Sequence, residues 1–365
     1  MKILTVVGAR PQFVKAAPVS GALASVAREV VVHTGQHYDP EMSEVFFKEL
    51  EMREPDYNLE VGSGSHAAQT GEMLQRLEPV MAEERPDMVM VYGDTNSTLA
   101  GALVAAKLQI PVAHVEAGLR SFNRSMPEEI NRLVTDHLSS LLFAPSPTSE
   151  RQLREEGIAN GVYVTGDVMY DAILHYAPVA GRVSRYPGRL ELEPRGFYLC
   201  TIHRAENTDD GDKLREIVSA LNGLPLPVVV PLHPRTRKKL DEFEINAGGN
   251  VRIVDPVGYI DMLQLLQTSA AVLRDSGGLQ KEAYYVGVPC ITLRSETEWT
   301  ETVDAGWNRL VGYDEGKIID AVAAAGNQPS ARPELYGDGK AAARIAAILG
   351  DGFRATEGVP AAAGV

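Results

Sequence analysis

Residues 269–283 read SAAVLRDSGGLQKEA. An apolar run ends at Leu273. Asp275, Ser276 and a Gly277–Gly278 pair then lead into what reads as the first turn of a helix. Strand, glycine turn and helix start is how many α/β proteins hold an anion, because the free N–H groups of a helix's first turn point at it. The stretch matches neither GxxxxGK[ST] nor GxGxxG. It therefore suggests the fold class and leaves the anion unnamed.

The same rhythm extends in both directions. Short apolar runs occur at ILTVV (3–7), EVVVHT (29–34), MVMVYG (88–93), VAHVEA (112–117), LLFAP (141–145) and VYVTG (162–166). After a Pro- and Arg-rich stretch, about 178–195, they resume at FYLCTI (197–202), VVVPLH (228–233), VRIVD (251–255), AVLRD (271–275), PCITL (289–293) and RLVG (309–312). Strands this short and continuously apolar suit parallel sheets covered on both faces. Helical patterns between them predict βαβ units. The reading is α/β, with two Rossmann-like, doubly wound domains facing a central cleft: 1–168 and 169–350, the boundary falling near 166–195. The final residues, 351–365, read as a flexible tail.

Composition excludes several classes. Acids outnumber Lys and Arg by 49 to 35, for a net charge of −14, which argues against a nucleic-acid surface. No run approaches the roughly 18 apolar residues of a membrane span, and the N-terminal apolar run is too short for a signal peptide. The two cysteines, Cys200 and Cys290, sit at strand-like positions and read as buried free thiols. A cytoplasmic protein is expected.

Polar residues cluster just past the strands, where ligands bind in open parallel sheets. GARPQFVK (8–15) places Arg10 and Lys15 around a helix start, where cations are poorly placed unless an anion shares the site. Asp94 reads as an N-cap for the next helix. Asp94, Glu116 and Glu128 together read as carboxylates for proton transfer, their pKa values pushed apart by burial and repulsion. His203-Arg204 and His233 with Arg235, on adjacent strands, suggest an anion-binding wall. Residues 297–309 read either as a loop over the site or as an amphipathic helix. Asp210-Gly211-Asp212 formally matches DxD but reads as helix capping, so no metal and no cofactor are expected.

In order along the chain, Arg10-Pro11, Gly93-Asp94-Thr95, His114 to Arg120, Pro127-Glu128-Glu129, Asn131-Arg132, His203-Arg204, Asp275 to Gly278 and Tyr336 to Gly339 resemble the non-hydrolysing UDP-N-acetylglucosamine 2-epimerases. The resemblance covers about residues 2–350. It implies a GT-B fold, a C-terminal helix (about 339–350) that crosses back to the first domain, and a homodimer. It also implies reversible inversion at C2 of UDP-N-acetylglucosamine by elimination of UDP and re-addition. Carried over by position, Asp94, Glu116, Glu128 and His203 are the expected catalytic residues. Arg10, Lys15, Arg132, His233, Tyr259, Ser276, Gly277, Gly278, Glu282 and Arg294 are expected to bind the UDP-sugar. Glu282 would hold the ribose hydroxyls, and Pro256 and Tyr259 would flank the uracil.

The chain departs from the family pattern in places. Gln12 stands where simple members have Glu, Trp299 follows Thr297-Glu298, and the 121–126 segment carries an added base, Arg124. These variants resemble a branch that includes 2-epimerases of UDP-2,3-diacetamido-2,3-dideoxyglucuronate, and a cation would suit that C6 carboxylate. A GT-B glycosyltransferase is the remaining alternative. Gln36-His37-Tyr38-Asp39 replaces a Gln-His-Arg-Glu element tied to activation by a second UDP-sugar. Weakened or absent activation is therefore expected.

Overall fold

The computed structural model describes residues 1–36, 49–275 and 277–352. The chain divides into two units: residues 1–172 with the segment from Tyr336 onward, and Ile173–Leu335.

The first unit is built on seven described strands: β1 (Lys2–Val7), β2 (Arg28–His33), β3 (Tyr57–Asn58), β4 (Met88–Tyr92), β5 (Val112–Val115), β6 (Leu141–Ala144) and β7 (Val162–Val164). Their order in the sheet is β3-β2-β1-β4-β5-β6-β7, and every pairing is parallel. The helices are α1 (Arg10–Leu23), α2 (His66–Glu84), α3 (Asn96–Lys107), α4 (Pro127–Leu138), α5 (Pro147–Glu155) and α6 (Val168–Val183). In β1, Ile3, Leu4, Val6 and Val7 are all fully buried, on both faces of the strand, as a helix-covered sheet requires. Leu4, Val6, Val89 and Val91 pack with Met73, Leu77 and Met81 of α2 and Ala100 and Val104 of α3 into one core.

The second unit repeats the plan with β8 (Tyr198–Thr201), β9 (Val228–Pro231), β10 (Val251–Val254), β11 (Ala271–Arg274), β12 (Cys290–Thr292) and β13 (Asn308–Leu310), in the order β10-β9-β8-β11-β12-β13. Its longer helices are α7 (Gly211–Asn222), α8 (Pro234–Glu242), α9 (Tyr259–Thr268), α10 (Gly278–Val286) and α11 (Glu315–Ala323). Each unit has the doubly wound strand order, so each has a switch point: between β1 and β4, and between β8 and β11. Cys200 and Cys290 are buried free thiols.

The last helix, α12 (Ala341–Gly352), lies against α1 in the first unit. Asp171 of α6 caps it, its two carboxylate oxygens accepting the N–H groups of Ala341 and Ala342 at 3.1 and 2.9 Å.

All twelve apolar runs form strands. β3 has no counterpart among them, because two residues carry no periodic signal; its place beside β2 follows from the register Val32 to Tyr57. The Pro- and Arg-rich stretch is more ordered than expected. α6 runs through Pro178 to Val183, and a short helix follows at Tyr186–Arg189.

Candidate active site

At the β1–β4 switch point the turn after β1 is locked by Gln12, which is 1% exposed. Its carbonyl accepts the N–H groups of Gly8 and Ala9 at 2.9 and 3.0 Å. Its amide nitrogen donates to the Tyr92 carbonyl and to Thr98 Oγ1, both at 3.0 Å. A glutamate could not make those two donations. Arg10 opens α1 half-exposed, and Lys15, one turn on, is buried and paired with Glu116.

Asp94 does not cap α3. Thr95 does, accepting from the Thr98 N–H at 3.3 Å, because it is the residue directly before the first helical turn. Asp94 is thereby left to face Arg132, whose Nη1 donates to Asp94 Oδ2 at 2.5 Å. Asp94 keeps 31% of its side-chain surface. Its pKa is nevertheless raised. Desolvation outweighs the attraction of Arg132 and Lys15, and the charges of Glu116 and Glu128 push the same way. Glu116, at the end of β5, is 5% exposed and has φ 72°. A non-glycine residue in that region is uncommon and tends to mark a functional position.

Helix α4 supplies the rest. Glu128 stands in its first turn, at the end where the helix dipole favours an anion. Glu129 and Arg132 are each 1% exposed. Glu129 Oε2 accepts from Arg132 Nε and Nη2 at 3.0 and 2.6 Å and from the Ser121 N–H at 3.0 Å, while Oε1 accepts the Phe122 N–H at 2.9 Å. Burial alone would raise its pKa. The Ser121 N–H, Arg132 and the Phe122 N–H overcome burial and hold it below the usual range. Glu129 thus anchors the 121–126 segment, in which Arg124 is exposed.

In the second unit, Asp275 closes β11 and is fully buried. It accepts from the backbone N–H of His203 at 3.0 and 3.1 Å, from that of Arg204 at 3.0 Å and from Asn207 Nδ2 at 3.2 Å. One carboxylate thereby ties the ends of β8 and β11 across the switch point, and the His203 side chain is left exposed. His233 caps α8, its Nδ1 accepting the Arg235 N–H at 3.2 Å, and Asp209 neutralises Arg235 at 2.7 Å. Ser276 lies outside the described residues. Gly277 precedes α10, and a Cβ there would stand 2.7 Å from Glu298 Oε1, so the turn has no room for a side chain.

Glu282 and Tyr259 are buried, at 6% and 7% exposure. Burial first, then the Glu282 charge, push the Tyr259 phenol well above its ordinary pKa. Pro256 is exposed just before α9. Arg294 is 4% exposed and pairs with Glu298 at 3.1 Å. Residues 297–309 form a loop with one short helix, Thr300–Asp304, pinned by Gln280 of α10: Gln280 Oε1 accepts from Thr297 Oγ1 at 2.7 Å and Asn308 Nδ2 at 2.9 Å. Asp210 caps α7, accepting the N–H groups of Asp212 and Lys213 at 3.1 Å.

Three carboxylates with a paired lysine, at one doubly wound sheet, supply acid and base. A glycine turn at the head of a helix, in the other unit, supplies anion binding. Two such units define an enzyme of the GT-B fold class. Within that class the chain belongs to the UDP-N-acetylglucosamine 2-epimerase family, whose family model matches residues 23–350. It is 47% identical to a Methanococcus maripaludis protein described as a homologue of UDP-N-acetylglucosamine 2-epimerase, over 96% of this chain and 99% of the relative. It is 48% identical, with the same coverage, to the UDP-2,3-diacetamido-2,3-dideoxy-D-glucuronate 2-epimerase of Pseudomonas aeruginosa. The crystal structure of Methanocaldococcus jannaschii UDP-GlcNAc 2-epimerase, in complex with UDP-GlcNAc and UDP, superposes with a TM-score of 0.90 at 43% identity, over 96% of this chain and 99% of that one.

Sequence reasoning missed Gln12 as a lock, Glu129 as an anchor, Asp275 as a clamp, and His114 with Asp136. One signal was there to find. Glu129, Arg132 and Asp136 recur at i, i+3 and i+7, so a charged stripe occupies the face of α4 that turns inward. Among the described residues no helix is long and apolar enough to cross a membrane.

Proposed function

We propose that this protein reversibly inverts C2 of UDP-N-acetylglucosamine, giving UDP-N-acetylmannosamine. The observation that carries the proposal is the coupled carboxylate set: Asp94 has a raised pKa beside Glu116 and Glu128, with Lys15 paired to Glu116. Such a set holds a proton on one carboxyl while another accepts one. The C2 proton is not acidic, so direct abstraction is a poor route. Instead the C1–O bond breaks, UDP leaves with the electron pair, and the C2 proton passes to a carboxylate, giving 2-acetamidoglucal. UDP then re-adds at C1 while a proton reaches the opposite face of C2. The first unit is assigned the proton chemistry. In the second, Gly277, Gly278 and Ser276, with Arg10 from the first unit and His203, hold the diphosphate through cleavage and re-addition.

The test is deuterium entry at C2 of UDP-N-acetylglucosamine in D2O with no acceptor present. No exchange, and no glycal or UDP after long incubation, would overturn the reading and favour a glycosyltransferase. Asp94→Asn, Glu116→Gln and Glu128→Gln should each abolish most turnover while UDP affinity survives; loss of UDP binding in all three would make them structural.

A second reading is favoured by the 48% identity to the diacetamido-glucuronate enzyme and by exposed Arg124. Here the substrate carries a 3-acetamido group and a C6 carboxylate. A panel of UDP-sugars with and without each group, assayed for C2 inversion, separates the two. The enzyme is further proposed to act in the cytoplasm, where its two thiols stay reduced, and as a homodimer. Sedimentation at the mass of a single chain would overturn the dimer.

A further inference from the structure

A second charged cluster lies in the first unit, away from solvent. His114 and Asp136 are 0% and 1% exposed, and Arg120 is 2% exposed. Asp136 Oδ1 accepts from His114 Nδ1 at 2.7 Å. Asp136 Oδ2 accepts from the Gly118 N–H at 3.1 Å and from Arg120 Nη1 at 2.7 Å. His114 Nε2 donates to the Gly93 carbonyl at 2.8 Å. Arg120 also grips Glu156 in a two-pronged pair, Nε to Oε1 and Nη2 to Oε2, both at 2.7 Å.

The Gly93 carbonyl has no proton to give. Asp136, between a guanidinium, a backbone N–H and an imidazole, is held as a carboxylate. Both nitrogens of His114 therefore face acceptors. A neutral ring carries one proton and would set a lone pair against one of them. Both nitrogens are also used up inside the protein, which leaves none to exchange a proton with substrate.

We propose that His114 is a standing imidazolium and a positioning residue, which with Asp136 fixes the turns that present Asp94 and Glu116. The proposal rests on the epimerase reading of those carboxylates. Gly93, Glu116 and Gly118 all have positive φ, of 62°, 72° and 81°. Such turns persist only where surrounding contacts over-determine them. His114 holds the Gly93 turn through its carbonyl, and Asp136 holds the Glu116–Gly118 turn through the Gly118 N–H. Asp136 lies on α4, which also carries Glu128. The three segments bearing the three carboxylates thus share one anchor.

The direct test is a two-bond proton–nitrogen correlation spectrum of 15N-labelled protein at neutral pH, with His114→Gln used for assignment. Both His114 ring nitrogens should resonate in the protonated range; a bare, pyridine-type nitrogen overturns the proposal. This readout is independent of turnover. If the wild type shows no C2 exchange, the epimerase reading fails by itself. In the kinetic arm, His114→Gln and Asp136→Asn should lower kcat by about 100-fold, the scale set by misplacing a catalytic group by about 1 Å, with KM and UDP affinity unchanged. Wild-type kcat in a folded variant, or parallel loss of kcat and UDP binding, overturns the positioning role. If neither variant folds, the spectrum of the wild type decides.

Discussion

Asp94 holds a proton more readily in the folded chain than out of it, chiefly because burial outweighs Arg132 and Lys15, with Glu116 and Glu128 adding to burial. A carboxyl whose pKa folding raises contributes stability below its unfolded pKa, and that contribution is lost as pH rises through the folded value. At neutral pH its ionised form therefore subtracts from stability. Asp94→Asn should melt at or above the wild-type temperature at neutral pH, and the gap should close on acidification. A lower melting point at neutral pH would mean that the Arg132 pair dominates. Gly277→Ala belongs to the same scale: its Cβ would meet Glu298 Oε1 at 2.7 Å. UDP affinity should fall about tenfold, or about 1.4 kcal/mol, while an unchanged dissociation constant would remove Gly277 from the phosphate turn. Asp94, Glu116 and Glu128 were legible in the sequence because each follows a strand or opens a helix. His114 and Asp136 were not, because a lone histidine in a strand and an acid inside a helix each have an ordinary structural reading. Only the distances between them show the network.

Among the elements, α4 does the most with the least obvious sequence. Its inward face is charged, and Glu129 on that face fixes the backbone of Ser121 and Phe122. Glu129→Ala would leave Arg132 buried with Asp94 as its remaining carboxylate partner among the bonds described above. Breaking a buried pair by removing one member costs about 3–5 kcal/mol. Thermal or urea melts should show that loss, and Glu129→Gln should recover part of it through the two N–H contacts. A melt within 1 kcal/mol (about the ordinary scale of a point substitution) would mean the 121–126 segment holds itself. The strands were easy to read because each is a continuous apolar run between helical patterns. β3 was not, since its two residues pair with β2 only after the chain has folded. Gln12 was visible as a departure from the family's glutamate, but its reason, two donations toward Tyr92 and Thr98, needed the coordinates. Residues 37–39 of the Gln36-His37-Tyr38-Asp39 element lie outside the described residues. A plainly sigmoidal rate against UDP-sugar would contradict the expected loss of activation.

At the scale of the whole molecule, the first unit is discontinuous in sequence. Its last helix, α12, buries Ala341, Ile345 and Leu349 to 1% exposure or less. Two such aliphatic side chains contribute about 1.5–3 kcal/mol each, and the Asp171 cap adds about 1 kcal/mol. A chain ended at Lys340 should therefore melt far below the full chain or fail to accumulate in folded form; a melt equal to the full chain's would show that α12 is dispensable. Asp171→Ala should lower stability by the capping term alone. The chain leaves the first unit after Ala172 and re-enters it at Tyr336. Order of synthesis and order of completion therefore differ. A ribosome releases all of the second unit before it releases the helix that finishes the first, so the earlier-made sheet waits with part of α1's contact surface uncovered. Such waiting states are prone to aggregate. The burden on chaperones should thus fall on the N-terminal half of the nascent chain, and slowing translation should not relieve it until the last helix has emerged.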